Sequence, residues 1–196
     1  TNILQHLVAI LVDEFKPDRC VGVLMDDNKN ILQIIEGTPT KITKGASIFS
    51  KAIVAHTCSE QCGIRIPNIK NDIRFVHDDE TKQSGAKSIL CGPLIAHGKN
   101  LGAVLLEIRS DNRQWSENQL ELLSTACGHA AMAMLTATLA KTQMQHERLA
   151  AMGETVASIS HSVKNMLQGL RSGAGAINLA LGRGDLELAR EGWPIL

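Results

Sequence analysis

The chain has 196 residues, of which 44% are hydrophobic, so it can bury the core of one domain and still extend beyond it. Its 20 basic residues balance its 20 acidic residues, which argues against a nucleic acid or an anionic membrane surface as the main partner. Aromatic residues make up only 3% and Tyr is absent, so the platforms on which unpaired bases stack are scarce. We expect no membrane-spanning segment, see no signal peptide, and predict a cytoplasmic protein.

The helical and β-rich runs of the first half follow one another in a regular order. Apolar residues at helical spacing predict a helix over residues 2–15, with Asn2 as its cap. Two β-rich runs, residues 20–25 and 31–35, flank a polar turn and predict a hairpin. A short helix is then expected over residues 47–55.

The next segment, residues 56–86, is polar and is predicted to be an irregular loop. A second hairpin is predicted from the apolar runs 88–95 and 101–108. The order helix, hairpin, helix, loop, hairpin and long helix predicts an α+β fold, in which an antiparallel sheet carries its helices to one side.

A long helix is the best-marked element. Ser116 and Gln119 have the spacing of a capping box, which places the start of the helix. No proline follows until Pro194, and the first terminating signal is the glycine-rich stretch 182–185. Glycines within residues 169–175 weaken the helix and predict a bend or break there.

Heptad spacing predicts that this helix pairs with another. A seam of apolar and small residues alternates steps of three and four: Leu149, Met152, Val156, Ile159, Val163, Met166, Leu170, Gly173, Ile177 and Ala180. An upstream set obeys the same rule one residue out of phase: Leu120, Leu123, Cys127, Ala130, Met134 and Ala137. We therefore predict a homodimer through residues 116–181, with a phase break over residues 141–148 that marks a domain junction.

The stretch Asn71-Asp72-Ile73-Arg74-Phe75, followed by Gly85-Ala86-Lys87-Ser88-Ile89-Leu90-Cys91-Gly92-Pro93-Leu94, resembles the GAF family. The resemblance covers about residues 1–140. It implies an α/β sensory module that binds a small molecule or serves as a dimerisation and relay unit, and it leaves the ligand unknown. The shortage of aromatic residues disfavours a bilin. Asn71, Phe75 and Asp79 echo, only loosely, the residue set of the relatives that bind cyclic nucleotides.

Three residues spaced H-x-C-x3-C offer an alternative ligand set for zinc or iron, namely His56, Cys58 and Cys62. No spacing selects a fourth ligand. The plainer interpretation is that the two cysteines flank a turn before a strand at residues 63–66, and we predict no metal. The five cysteines are odd in number and lie mostly in apolar runs, which indicates free thiols in a reducing compartment.

Residues 147–154, ERLAAMGE, and 159–167, ISHSVKNML, resemble the H-box helix of sensor histidine kinases. The resemblance implies that His161 is the phosphoacceptor. With Leu149 at heptad position a, His161 falls at f and faces away from the seam, where ATP and a receiver domain can reach it. Its neutral imidazole is a good nucleophile near neutral pH. Asn165 shares that helix face, and the resemblance implies that it positions a water for dephosphorylation of the receiver.

Two residues depart from the H-box pattern. Ser162 stands where the family has an acidic residue that takes the imidazole proton, and a serine hydroxyl is a poor base. Three alternatives follow: autophosphorylation is slow, it uses another base, or it is absent. Met166 replaces the usual proline and with it the commonest cause of a helix kink.

The resemblances imply a sensory domain over residues 1–140, a junction over 141–148, and a dimerisation and phosphoacceptor segment over 149–196. Within that last segment a second helix begins at Asp185 and is incomplete, so we expect a piece of a longer protein. An ATP-binding domain outside this chain would supply ATP and Mg²⁺, and a response regulator would receive the phosphoryl group. We expect the chain alone to be inactive. The alternative is a ligand-binding dimerisation scaffold without kinase activity, which Ser162 favours.

Overall fold

The computed structural model describes residues 2–44, 48–110, 112–184, 187 and 190. The chain divides into two compact units, Thr1–Thr138 and Leu139–Leu196. The first unit contains a sheet with its helices, and the second consists of the later part of one long helix.

The first unit is built on a six-stranded sheet in which every neighbouring pair is antiparallel. Its strands are β1 (Arg19–Met25), β2 (Ile31–Thr38), β3 (Lys41–Lys44), β4 (Ile64–Ile66), β5 (Ser88–Ala96) and β6 (Lys99–Ile108). They lie in the order β3-β2-β1-β6-β5-β4. The predicted α+β class and both predicted hairpins are confirmed, because apolar residues of the four central strands fill the interior.

Helices cover both faces of the sheet, so the prediction of helices on one side is wrong. Helix α1 (Asn2–Phe15) and the first part of α4 (Glu117–Arg183) pack on one face, around Leu90, Val104 and Leu106. Helix α2 (Lys51–Glu60), a 3₁₀ turn (Ile69–Asn71) and α3 (Asp79–Ser84) occupy the other face. Alternate residues of each central strand point to opposite faces of the sheet. Because the residues on both faces are mostly apolar, two cores form.

Three parts of the first half differ from the prediction. Helix α2 begins at Lys51 behind an N-cap at Ser50, several residues later than expected, because the Ser50 side chain accepts the Ile53 N–H. Residues 56–86 are not one irregular loop, since they hold the end of α2, strand β4, the 3₁₀ turn and α3. The short edge strand β3 was not predicted, because its sequence KITK is mostly polar.

The beginning of α4 is confirmed by its hydrogen bonds. The N–H of Gln119 donates to Ser116 Oγ at 3.3 Å, and the N–H of Ser116 donates to Gln119 Oε1 at 2.9 Å. These two bonds are the reciprocal pair of a capping box.

The first turns of α4 belong to the core of their own unit. Leu123, Cys127 and Ala131 are fully buried against the sheet. The prediction that the upstream stripe faces a partner helix is therefore wrong, because the sheet of the same unit covers most of its side chains. Periodicity reports that a helix face is buried, but not by what.

Helix α4 is also the one described helix that is long and apolar enough to cross a membrane, since it contains an 18-residue window with a mean hydropathy of 1.3. The expectation of no such segment is therefore wrong by length and composition. Residues 122–140 contain no Asp, Glu, Lys or Arg. The buried residues of this stretch, Leu123, Cys127 and Ala131, lie in the core, which accounts for part of its apolar character.

In the second unit α4 runs without interruption to Arg183, so the break predicted at residues 169–175 is not present. The predicted terminator is confirmed: Gly184 has φ +69° and its N–H donates to the Leu181 carbonyl. The second helix predicted from Asp185 lies outside the described residues except for Glu187 and Arg190.

Candidate functional site

His161 lies in the middle of α4 within the second unit and is exposed. At 3.6 residues per turn it is rotated by about 200° from both Ile159 and Val163, the seam residues that flank it. Its imidazole therefore points away from the seam, as the heptad assignment predicts. An outward imidazole can be approached by a phosphate donor and by a protein surface.

Asn165 follows one turn later on the same face. Its side-chain amide nitrogen lies 3.2 Å from Nδ1 of His161, and both side chains are exposed. Ser162 is exposed and Lys164 is exposed beside the same face. The structure thus brings His161 and Asn165 into contact, and leaves the other ring nitrogen, Nε2, free of protein hydrogen bonds within the described part of the chain.

The predicted seam is exposed from Leu149 to Leu170, whereas Gly173 is buried and Ile177 is half-buried. Its apolar members are Leu149, Met152, Val156, Ile159, Val163, Met166 and Leu170, and their exposure ranges from 42% to 68%. A row of seven large apolar side chains exposed to water is unusual for a folded unit. This face and the face of His161 lie on opposite sides of the helix.

A second candidate site is a cavity of about 320 Å³ in the first unit. It is lined by residues from the 3₁₀ turn, the following loop, α3 and the segment between α3 and β5: Ile69, Lys70, Phe75, Val76, Thr81, Lys82, Gly85, Ala86 and Lys87. The floor is apolar and three lysines stand around it. A cavity of this size and character suits a small molecule.

Beside this cavity, the N-cap residues of two helices are hydrogen-bonded to each other. Asp78 caps α3 by accepting the Thr81 N–H at 3.1 Å, and it also accepts the hydroxyl of Ser50, the cap of α2, at 2.7 Å. Burial acts to raise the pKa of Asp78, but the hydrogen bonds from Ser50 and Thr81 outweigh it, and the pKa is lowered. Its ionised form therefore joins the start of α2 to the start of α3.

Phe75 is the buried anchor of the segment that resembles the GAF pattern. It is 4% exposed, with His56 edge-on to its ring at 5.5 Å and the Arg74 guanidinium over it at 5.2 Å. Asn71 and Asp79 are exposed and do not line the cavity. Of the three residues that echo the cyclic-nucleotide set, only Phe75 reaches it.

The H-x-C-x3-C residues do not converge. Cys58 is buried and its thiol points to the Gly102 carbonyl at 3.5 Å, whereas His56 and Cys62 line a separate open cleft. Residues two apart on a helix point in nearly opposite directions, which separates His56 from Cys58. Among the described residues no group of three or more His, Cys, Asp or Glu side chains is arranged to bind a metal.

The cysteines are free, as predicted, and all but Cys62 are buried. Cys91 is fully buried in mid-strand, and burial raises the pKa of its thiol to about 12. Burial likewise raises the pKa of Cys127. Such thiols remain protonated and pack as small apolar groups.

A buried charged cluster was missed at the sequence level. Arg19, which is 1% exposed, donates to Glu36 Oε1 at 2.9 Å, to the Ile48 carbonyl at 2.7 Å and to Glu107 Oε2 at 3.4 Å. Burial raises the pKa of Glu107, and its Oε1 has no hydrogen-bond partner among the described residues. The signal was available, since Arg19 and Glu107 occupy inward positions of apolar strands.

The sequence profile of the GAF domain matches residues 1–134, which is more than half of the chain. The chain belongs to the GAF family. The profile covers the whole sheet and the buried start of α4, whereas His161 lies beyond it. No curated protein is significantly similar to the chain in sequence.

Solved GAF domains share the fold of the first unit. A domain of a Sinorhizobium meliloti protein assigned as a two-component sensor histidine kinase has a TM-score of 0.56 at 13% identity, covering 74% of this chain and 96% of that one. The blue-light absorbing form of the PixJ GAF domain of Thermosynechococcus elongatus has a TM-score of 0.56 at 14% identity, covering 74% and 90%. The GAF domain of a phosphoenolpyruvate-protein phosphotransferase from Coxiella burnetii has a TM-score of 0.53 at 16% identity, covering 71% and 84%. Identities this low indicate a shared fold alone.

Proposed function

We propose that this chain is the sensory and phosphoacceptor portion of a cytoplasmic two-component histidine kinase, with His161 as the residue that is phosphorylated. The observation that carries the proposal is the outward-facing His161 with Asn165 against its ring, set within residues that resemble the H-box. An isolated exposed histidine would not suffice. Here it lies opposite a long apolar seam, which is the arrangement a phosphoacceptor in a helical dimer needs.

The chemistry is nucleophilic attack by an imidazole nitrogen on the γ-phosphorus of ATP. An ATP-binding domain outside this chain would bring ATP and Mg²⁺, and the metal would neutralise charge on the phosphates. The phosphoryl group would then pass from His161 to an aspartate of a response regulator. Nε2 is the nitrogen exposed for both steps, because the Asn165 side chain contacts Nδ1.

The proposed dimer uses the exposed seam of residues 149–177. Leu149, Val156 and Val163 each leave about half or more of their surface in water in a single chain. At about 25 cal/mol per Å² of apolar surface, covering this row supplies a strong drive for association. Leu123 and Cys127, near the start of α4, are not available to this interface, because the sheet already covers them.

The GAF domain is proposed to sense a small ligand in the cavity beside Phe75. Its apolar floor would take an apolar portion of the ligand, and Lys70 and Lys82 stand at its edge. The fold likeness to a domain from a sensor histidine kinase fits this role. The identity of the ligand stays open.

The second candidate function is a ligand-binding dimerisation scaffold without kinase activity. One observation favours it: Ser162 takes the place of the acidic residue, and no other carboxylate bonds to His161 within the described residues. The scaffold predicts the same fold and the same dimer, so only phosphorylation separates the two functions.

The decisive experiment is autophosphorylation of the full-length protein with γ-labelled ATP and Mg²⁺, beside His161→Gln and a control variant, His146→Gln, on the same helix. We expect acid-labile label in the parent and in His146→Gln, and none in His161→Gln. A folded parent without label would refute the kinase function and leave the scaffold.

A further inference from the structure

The inference concerns how His161 is prepared for attack without an acidic neighbour. Within the described structure the ring has a single hydrogen-bond partner, the side-chain amide of Asn165, at 3.2 Å from Nδ1. Ser162 is the next residue along the chain, and it makes no hydrogen bond to the ring in the same part of the structure. Asn165 is therefore the group that decides the state of Nδ1.

A neutral imidazole carries one proton, and the partner of one nitrogen fixes whether that proton sits on it or on the other. Nε2 can attack phosphorus only when its lone pair is free, which requires the proton to be on Nδ1. An Nδ1–H needs a hydrogen-bond acceptor to hold it in place. In most kinases with this motif the acidic residue after the histidine is that acceptor, and here Ser162 stands in its position.

The side-chain amide of asparagine offers both an acceptor oxygen and a donor NH₂ group. A half turn about its last torsion exchanges the two atoms at the position that contacts Nδ1. With Nδ2 towards the ring, as the structure has it, the amide donates to Nδ1, the proton stays on Nε2, and the attacking lone pair is lost. With Oδ1 towards the ring, the amide accepts from Nδ1–H and Nε2 is free.

We propose that Asn165 is the positioning residue that sets the tautomer of His161, an inference that rests on the proposed phosphoacceptor function. The Oδ1-inward orientation is the active one. In the transfer step the Nε2 lone pair forms the N–P bond, the bond from the γ-phosphorus to the bridging oxygen breaks, and ADP leaves with its electrons. The ring becomes cationic with Nδ1–H held by Oδ1, and this proton passes to water afterwards because an amide does not accept it.

The first test measures tautomers in this 196-residue chain and needs no ATP. Two-bond ¹H–¹⁵N spectra of the histidine rings distinguish Nδ1–H from Nε2–H, and His129 and His146 on the same helix serve as internal controls. We expect Asn165→Ala to change the tautomer ratio of His161 and to leave the controls unchanged. Asn165→Asp, which can only accept, is expected to shift His161 to Nδ1–H. Identical spectra of His161 in the parent and in Asn165→Ala would overturn the proposal.

The second test uses the full-length kinase and initial rates of autophosphorylation. We expect Asn165→Ala to be about tenfold slower, the factor that about 1.4 kcal/mol of transition-state hydrogen bonding supplies. Ser162→Glu in the Asn165→Ala background should restore the rate, since it returns an acceptor to Nδ1. Unchanged labelling in Asn165→Ala, or no restoration by Ser162→Glu, contradicts the inference. Label that survives in His161→Gln would instead refute the proposed function, and the tautomer spectra would still decide the role of Asn165.

Discussion

Replacing Arg19 by Met tests the buried charged cluster of the GAF domain. The guanidinium is almost completely buried and donates to Glu36, Glu107 and the Ile48 carbonyl. Without it, the fully buried Glu107 loses its nearest positive charge. Removing one partner of a buried ion pair costs about 3–5 kcal/mol, against a total free energy of unfolding of about 5–15 kcal/mol for a domain. We expect a loss in that range near neutral pH.

The loss should depend on pH with a definite sign. Burial raises the pKa of Glu107 above its ordinary value of 4.5, so ionising it costs stability as pH rises through the folded-state pKa. Arg19 acts against that rise, and its removal raises the pKa of Glu107 further. The destabilisation by Arg19→Met should therefore be smallest in acid, where Glu107 is protonated, and should grow towards alkaline pH.

The assay is urea unfolding at about pH 5 and about pH 8, where the pKa shift predicts different losses. Fluorescence of Trp115, which is 2% exposed, reports on the GAF domain once Trp193 is replaced by Phe. The matched control is Arg65→Met, whose side chain is 27% exposed and pairs with Glu117, which is 69% exposed; a pair that water reaches in this way is worth about 0–1 kcal/mol. If Arg19→Met and Arg65→Met cost the same, or if the cost of Arg19→Met is equal at both pH values, the reasoning is refuted.

Four further predictions each concern a single residue. Asp78→Ala should cost the GAF domain about 1–2 kcal/mol of unfolding free energy, because helix α3 loses its cap. Since the pKa of Asp78 is lowered in the folded state, this cost should vanish in acid as pH falls through that pKa. Urea unfolding at pH values below and above the ordinary pKa of Asp measures the change in cost. Gly153→Ala should raise the melting temperature of α4 by circular dichroism, gaining about 1 kcal/mol, because its new Cβ meets nothing within 4 Å. Gly102→Ala should instead abolish folding, since φ is +146° and the Cβ would lie 1.9 Å from a backbone oxygen. Val163→Asp should dissociate the proposed dimer in sedimentation, while Ser158→Asp, off the seam, should not; a monomeric parent would contradict the dimer.

The sequence predicted the sheet better than it predicted what covers it. Apolar runs with polar turns define both hairpins, because strand pairing is local there. The stripe through Leu123 and Cys127 shows the limit of this approach. Its periodicity is that of a buried helix face, and the pattern is the same whether a partner helix or the same domain's sheet buries it. Only the tertiary structure places these side chains against Leu90 and Val104.

The prediction of an irregular loop over residues 56–86 failed for a different reason. Strand β4 and helix α3 are three and six residues long, too short for a hydrophobic period to appear. Their positions are fixed by hydrogen bonds between distant residues, such as Ser50 with Asp78. A single sequence contains both partners but does not pair them. The cavity formed by these short elements was therefore not predictable, although the segment around Phe75 was singled out by its resemblance.

The helix face that carries His161 illustrates the opposite case, in which the spacing of residues in the sequence predicts a contact seen in the structure. The spacing of four between His161 and Asn165 places the two side chains on one face, and the structure brings them to 3.2 Å. A motif does not show which neighbouring side chain takes over the role of a residue that has been replaced. In the proposed phosphoacceptor, Ser162 leaves Nδ1 without the acidic neighbour that the H-box resemblance implies, and within the described structure the side chain hydrogen-bonded to Nδ1 is the amide of Asn165. We therefore treat the departure from the motif and this contact as one proposed arrangement, and substituting Asn165 tests both.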